Sequence, residues 1–388
     1  MWLLKRGISF LRNVNGIVFF AGYPYSERQS DGYFQRVQLV DSLFTDRWRI
    51  YIESEELPRS KHWIDRPEPN VLVFRILGGL GRRWLLKALA LLAVLRCRKI
   101  YINSVFCMQG NGFQILMRMP GITKIFDIHG VVPEELRIQN DLRSALLFEA
   151  HERLAVLKSD LVIVVSEAMK NYLHKKYRER LRTSIVIFPM FLNVGSAAPA
   201  CLSRSYPDGK PAVIYAGGLQ KWQQVDKMID AISRTVSMCA HHFYCPDPDS
   251  VRKMLPQAIR SQIIIDRKTH AELKKIYTEC HYGFILREDI IVNQVACPTK
   301  LVEYLAMGVV PIVDSDNIGD FKTMGMRFIT LEQLLQGNLP NEMERIKMVQ
   351  DNFDVYEHLR NIRNQGEQEI CAMLAVNKEW SIRRPLMA

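Results

Sequence analysis

Long hydrophobic runs are missing from this chain. Nowhere in its 388 residues do about 18 apolar residues follow one another, so no membrane-spanning helix is expected. Its eight cysteines form no C-x-x-C pair and no Cys/His group at zinc spacing. That argues against a structural metal and for a reducing compartment. Residues 1–14 have neither a sustained apolar core nor a small-residue cleavage site, so no secretory signal is expected. No G-x-G-x-x-G follows the first apolar run, and no Walker-type loop occurs, which speaks against a dinucleotide fingerprint and against a P-loop. The second half also lacks any charge excess: residues 201–388 hold 23 Lys and Arg against 23 Asp and Glu.

What is present is a globular composition, 48% hydrophobic and 24% charged, on a chain long enough for two domains. The whole net charge of +11 lies in residues 1–200, which carry 29 basic against 18 acidic residues. A basic half joined to a neutral half implies an anionic partner for the first. No Lys/Arg-rich run interleaved with aromatics is found, so nucleic acid is not expected. An anionic membrane surface or a lipid-phosphate acceptor fits better. Two stretches could lie on such a surface: residues 1–14, which mix basic and bulky apolar residues, and Arg82-Arg83-Trp84 with the apolar run to Leu95. Residues 1–14 read equally as a helical lead-in packed on its own domain, and the second stretch reads rather as a core helix.

Apolar runs alternate with helical patterns along the chain. Strands are expected at Gly16 to Gly22, 48–53, 71–76, 99–103, 123–128, Leu161 to Val165 and Ser184 to Pro189. A loop from Tyr23 to Gly32, with Pro24, Tyr25, Arg28 and Asp31, precedes a helix from Tyr33 to Phe44. Ser166 is placed to cap the helix after its strand. Residues 196–209 lack periodicity and hold Ser, Ala, Pro and Gly, so they read as a linker. The pattern then restarts with Ala212 to Gly218, a helix from Val225, and Tyr282 to Leu286. The fold class expected is α/β with parallel sheets, divided as 1–195, the linker, 210–365, and a C-terminal helix or tail at 366–388.

The most informative stretch is Pro298-Thr299-Lys300-Leu301-Val302-Glu303-Tyr304-Leu305-Ala306-Met307-Gly308, followed by Val309-Val310-Pro311-Ile312-Val313. Pro298 suits a first helical position and Gly308 the end of the last turn. Lys300, Glu303, Tyr304 and Met307 fall on one face, while Leu301, Val302, Leu305 and Ala306 pack inward. The helix start and Lys300 together favour a diphosphate. One turn on, Glu303 can accept two neighbouring hydroxyls, as on a ribose. Upstream, Gly217 and Gly218 end a strand and let backbone approach phosphate oxygens, with Lys221 beside them. Arg287 follows another strand, where a guanidinium suits phosphate geometry. Asp247-Pro248-Asp249 and Asp314-Ser315-Asp316 read as turns rather than metal pairs.

This P-x-K-x-x-E-Y-L-A-x-G block, with Arg287-Glu288-Asp289 before it, resembles the nucleotide-binding signature of family-4-like retaining glycosyltransferases of bacterial surface-polysaccharide assembly. The resemblance implies a GT-B architecture, two Rossmann-like domains facing a cleft. It implies transfer of a hexosyl group from a nucleoside-diphosphate sugar, UDP before GDP, to a lipid-linked or surface-glycan acceptor, with no metal or other cofactor. It implies a cytoplasmic enzyme peripheral to the plasma membrane. By the same resemblance, His129 after Ile125-Phe126-Asp127-Ile128 contacts the transferred sugar. Lys221, Arg287 and Lys300 meet the diphosphate; Pro298, Thr299 and Leu301 belong to the binding turn; Glu303 holds the ribose. The chain departs from the pattern twice: Gly218 stands where an arginine is usual, and Val295 where a first glutamate is usual. Those departures keep two alternatives open, a catalytically silent partner-binding subunit and a sugar-nucleotide epimerase.

Overall fold

In a computed structural model the described residues are 15–28, 31–53, 64–75, 80–108, 112–178, 183–191 and 209–380, without the side chains of 80–86, 221 and 375–380. Residues 1–14, all of the linker but Gly209, and the side chains of Arg82, Arg83 and Trp84 therefore lie outside the described parts. The chain divides into two compact units. The first holds residues 1–165, 170–188 and 364–388, and the second 166–169 and 189–363.

In the first unit the elements run β1 (Gly16–Phe20), α1 (Gly32–Asp41), β2 (Trp48–Glu53), β3 (Ile64–Asp65), β4 (Val71–Arg75), α2 (Leu80–Cys97), β5 (Lys99–Asn103), α3 (Gly112–Arg118), β6 (Thr123–Ile128), α4 (Val132–Ile138), α5 (Leu142–Lys158), β7 (Leu161–Val164), α6 (Glu167–Tyr177) and β8 (Ser184–Ile187). The sheet order is β3-β4-β2-β1-β5-β6-β7-β8. Every pairing is parallel except that of β3, a two-residue antiparallel edge strand. Continuous apolar runs such as Gly-Ile-Val-Phe-Phe are buried at every residue, as a sheet covered on both faces requires. Asp31 accepts from the Tyr33 amide and so caps α1. Ser166 accepts from the Met169 amide at 3.0 Å and caps α6.

The second unit runs β9 (Ala212–Ala216), α7 (Val225–Thr235), β10 (Ala240–Tyr244), α8 (Pro248–Met254), β11 (Ile263–Asp266), α9 (His270–Tyr277), β12 (Tyr282–Ile285), α10 (Ile291–Gln294), α11 (Thr299–Met307), β13 (Val310–Val313), β14 (Ile329–Thr330), α12 (Leu331–Leu335) and α13 (Glu342–Trp380). Its sheet, β11-β10-β9-β12-β13-β14, is parallel throughout. Pro311 sits inside β13, although proline lacks the ladder N–H. The Val310 amide bonds to the His281 carbonyl on the β12 side, so position 311 faces β14. That strand begins only opposite Ile312, and no donor is required of Pro311. The long α13 is shared: from residue 364 it belongs to the first unit, where Ile370 and Leu374 join the core.

Candidate functional site

The residues singled out around the P-x-K-x-x-E block meet at the carboxyl ends of β9 and β12, where ligands gather in parallel α/β sheets. Helix α11 packs tightly there. Gly283 in β12 makes this possible, because a Cβ at 283 would fall 2.3 Å from the Tyr304 ring. Residues Leu301 to Met307 are all buried. The expected ligand face therefore shrinks to the first turn. Tyr304 and Met307 are core, and Tyr304 donates to the Ile214 carbonyl at 3.3 Å. Pro298 occupies the cap position, one residue before the helix, and no side chain caps this terminus. Thr299 is half-buried. The side chain of Leu301 is in the core, and its amide bonds to the Pro298 carbonyl.

Lys300 is half-buried, its Nζ 3.8 Å from the centroid of the Tyr215 ring. Gly217 gives it room, for a Cβ there would fall 2.2 Å from Nζ. Tyr215 in turn donates to the Gly218 carbonyl. Among the described residues no carboxylate lies within ion-pair distance of Lys300 or of Arg287. Among the described residues Arg287 forms no ion pair with its neighbours Glu288 and Asp289. Its Nη1 donates to Asn293 Oδ1 at 3.4 Å, while Asp289 accepts from Gln294 and Asn317. Burial first, and the charge of Arg287 second, hold the Lys300 ammonium well below the ordinary lysine value, with Glu303 opposing. Burial also lowers the Arg287 value. Two cations and an uncapped helix start thus converge with no counter-ion among the described residues.

Glu303 is 5% exposed. Its carboxylate accepts from Tyr277 Oη at 3.2 Å and meets His270 Nε2. It is therefore engaged on both oxygens rather than bare. A carboxylate has about four acceptor positions, which leaves room for further hydroxyls. His270 and Tyr277 stand seven apart on α9 and so share a face. That spacing was readable from sequence, but nothing in it pointed to Glu303. Val295, in place of the usual glutamate, is buried. Nearby, Asn293 is committed to Arg287 and the Glu288 carbonyl; Gln294 is committed to Asp289. The Lys221 side chain lies outside the described parts. The acidic pairs are accounted for: Asp247 caps α8 and Asp249 pairs with Arg252, while Asp314 and Asp316 pair with Lys227 and Lys322.

In the first unit, His129 follows β6, half-buried, its ring 6.4 Å from that of Tyr33. Burial lowers its basicity, against the opposing pull of Asp127. Its Nδ1 is buried with no hydrogen-bond partner among the described residues. Asp127 below it is held by Arg36 through two bonds of 2.8 Å. In the loop after β1, Arg28 pairs with Glu53 at 3.2 Å and Tyr25 donates to Asp65.

No protein-family model matches the chain, and no curated protein matches it. Solved structures do. A sucrose-phosphate synthase from Thermosynechococcus elongatus superposes with a TM-score of 0.68 at 14% identity, covering 93% of this chain and 99% of that one. The HepE protein of Anabaena, in complex with UDP and glucose, gives 0.62 at 14% identity, covering 94% of this chain and 100% of that one. A trehalose-6-phosphate protein from E. coli, bound with UDP-2-fluoro glucose, gives 0.62 at 11% identity over 92% of this chain and 98% of that one. The two parallel-sheet units have the fold of GT-B glycosyltransferases.

Proposed function

We propose that this chain is a glycosyltransferase that moves a hexosyl group from a nucleoside-diphosphate sugar, with UDP as the nucleotide. The observation that carries the proposal is the pair of uncompensated cations, Lys300 and Arg287, beside the uncapped start of α11. Such a place is stabilised by a diphosphate, which supplies the missing negative charge. During transfer, charge builds on the departing diphosphate. Preorganised cations and a helix start lower the barrier by stabilising that charge. Pro298, Thr299 and Leu301 shape the turn, Gly217 and Gly218 leave space, and Lys221 adds a further cation. Glu303, steadied by His270 and Tyr277, takes the ribose hydroxyls. His129 is assigned by the resemblance to the transferred sugar. Complexes of similarly folded proteins with UDP and glucose, or with UDP-2-fluoro glucose, support a UDP-linked donor. Retention of configuration, freedom from metal and family-4 membership are carried over from the resemblance.

The acceptor proposed is lipid-linked or a surface glycan, met at the inner face of the plasma membrane. Among the described residues no helix is long and apolar enough to cross a membrane, so attachment would be at the surface. Right-handed crossovers set α2, α3 and α5 on one face of the first sheet. That face exposes Leu91, Leu92 and Leu95, then Ile115, then Leu142, Leu146 and Leu147. Helix α2 carries Arg82, Arg83, Lys87 and Arg96 and no acidic residue, which suits anionic headgroups.

Calorimetric titration with UDP, UMP and uridine tests the nucleotide site. Affinity should rise steeply from uridine to UDP. Equal, negligible binding of all three would sink the proposal. Tight UDP binding without hydrolysis or transfer from any UDP-sugar would favour the silent subunit.

A further inference from the structure

A cavity of about 850 Å³ in the first unit uses none of the residues of the nucleotide site. Its volume falls in the range of small-molecule pockets, roughly 300–1,000 Å³. Leu146, Glu149, Arg153 and Leu157 line it and recur every three or four residues, one stripe of α5. Lys176 and Arg178, at the end of α6, complete the wall. The acidic side of this cavity is already matched. Lys176 Nζ lies 3.0 Å from Glu134, 2.7 Å from Glu152 and 3.8 Å from Glu149, and Glu149 also accepts from Arg137 at 2.6 Å. Arg153 and Arg178 are exposed and have no acidic partner among the described residues. Arg153 stands more than a turn from either end of α5, too far to serve the helix dipole. Arg178 follows the last turn of α6 with a φ of 46°. Left-handed backbone just after a helix is the ordinary place of glycine, and an arginine is kept there at a cost.

The stripe has an apolar end. Leu142, Leu146 and Leu147 are 63%, 65% and 54% exposed. At 1.5 Å per residue, Arg153 stands about 10 Å along the helix from Leu146. An interfacial apolar face sinks about 5–10 Å below the headgroups. With the leucines in the acyl layer, the two arginines reach the level of the lipid phosphates. A ligand that satisfies both ends carries an anion for the guanidinium groups and an apolar body for the leucines. A free phosphate answers only the first.

We propose that this cavity seats the headgroup of an anionic phospholipid, its phosphate held by Arg153 and Arg178 and its glycerol and acyl part lying on Leu146 and Leu157. The assignment rests on the reading that the first unit meets a membrane surface. It replaces a diffuse basic face by one stoichiometric site on α5 and α6.

The test uses the full chain and the variants Arg153→Gln, Arg178→Gly and both together. Thermal unfolding without lipid comes first, and each variant should melt within about 2 °C of wild type, since glycine is at ease at position 178. Sedimentation with vesicles follows, of phosphatidylcholine alone and of phosphatidylcholine mixed with phosphatidylglycerol. Wild type should bind the mixed vesicles. Each substitution should weaken that binding about fivefold, and the pair about 25-fold. Calorimetric titration with dihexanoylphosphatidylglycerol, kept below its micellar concentration, reads the cavity apart from the surface field. Wild type should take up one equivalent and the double variant none, and inorganic phosphate should bind far more weakly than the lipid. Vesicle binding unchanged in the double variant would overturn the assignment. So would a wild type that takes up no short-chain lipid, or one that binds phosphate as tightly as lipid, which would mark a site for a soluble phosphate ester. Failure of wild type on vesicles of both kinds would strike the membrane reading. Uptake of the short-chain lipid then still decides the cavity: saturable uptake lost in the double variant supports it, and no uptake in wild type refutes it.

Discussion

Replacing Lys300 by methionine should move stability and binding in opposite directions. The ammonium is desolvated, faces the like charge of Arg287, and has no carboxylate in ion-pair reach among the described residues. Desolvation and the repulsion from Arg287 penalise the protonated folded state. A neutral side chain of similar length removes the penalty. Lys300→Met should therefore stabilise the unliganded protein by on the order of 1–2 kcal/mol, at about 2–4 °C per kcal/mol for a unit of this size. The same change deletes a charge-assisted contact to phosphate worth about 1.5–3 kcal/mol, a roughly 10- to 150-fold loss of UDP affinity. The pH dependence has a fixed sign. The folded value lies below the unfolded one, so between them the unfolded chain binds more protons and stability rises with pH. The penalty is complete below the folded value and gone above the unfolded one. The advantage of the variant should accordingly shrink as pH is raised towards the range of an ordinary lysine. Thermal unfolding across that range, with and without UDP, and calorimetric titration supply both readouts. A variant that is less stable than wild type and binds UDP unchanged would refute the reasoning, because Lys300 would then be a packing contact.

Three further outcomes are expected. Gly217→Ala, whose methyl would fall 2.2 Å from Lys300 Nζ, should fold normally, displace the ammonium and weaken UDP about tenfold by calorimetry. Glu303→Gln keeps the shape but not the charge beside His270 and Tyr277. It should abolish the discrimination between UDP and 2′-deoxy-UDP, and unchanged discrimination would remove Glu303 from the ribose. Arg36→Leu strands the buried Asp127 carboxylate without its two 2.8 Å bonds. It should cost about 3–5 kcal/mol in chemical denaturation, and the added change Asp127→Asn should return part of that.

Much of the frame was legible because buried parallel strands announce themselves as unbroken apolar runs. The strands at Gly16–Phe20, Leu161–Val164, Ala212–Ala216 and Tyr282–Ile285 fall where such runs do. Strand β10 was not legible, since it opens with Ala-His-His. His241 Nε2 finds its partner only in the folded chain, in Thr235 at 2.9 Å. Strand β3 has two residues and no pattern to read. In the site, Lys300 and Glu303 were readable because one helix sets their spacing, and Arg287 because it ends a strand. Tyr215, the pair His270 and Tyr277, and Asn293 come from three separate elements. Only the order of strands brings them to one edge, and no local pattern encodes that order. The extent of the ligand face was misjudged for a related reason. Helical periodicity gives the angle at which Tyr304 and Met307 project, but not the depth to which Gly283 lets the helix sink.

The treatment of buried charge separates frame from function in this molecule. In the first unit the buried guanidinium groups are matched: Arg36 with Asp127, Arg49 with Asp41, Arg75 with Glu53. Such pairs recover by mutual attraction what they lose on leaving water, and they fix geometry more than they add stability. The second unit could have treated Lys300 and Arg287 in the same way, since Glu303 lies one helical turn from Lys300. Its carboxylate is turned instead towards His270 and Tyr277. The carboxylate that could neutralise the cations is thus held off them, and their field stays unspent until a diphosphate arrives. This arrangement makes nucleotide binding and folding stability interdependent. At a free UDP concentration above both dissociation constants, UDP should stabilise wild type more than Lys300→Met, by RT ln of the ratio of the two constants, which already contains the relief of repulsion between the cations. Equal stabilisation of both proteins at the same free UDP concentration would show that Lys300 takes no part in binding it.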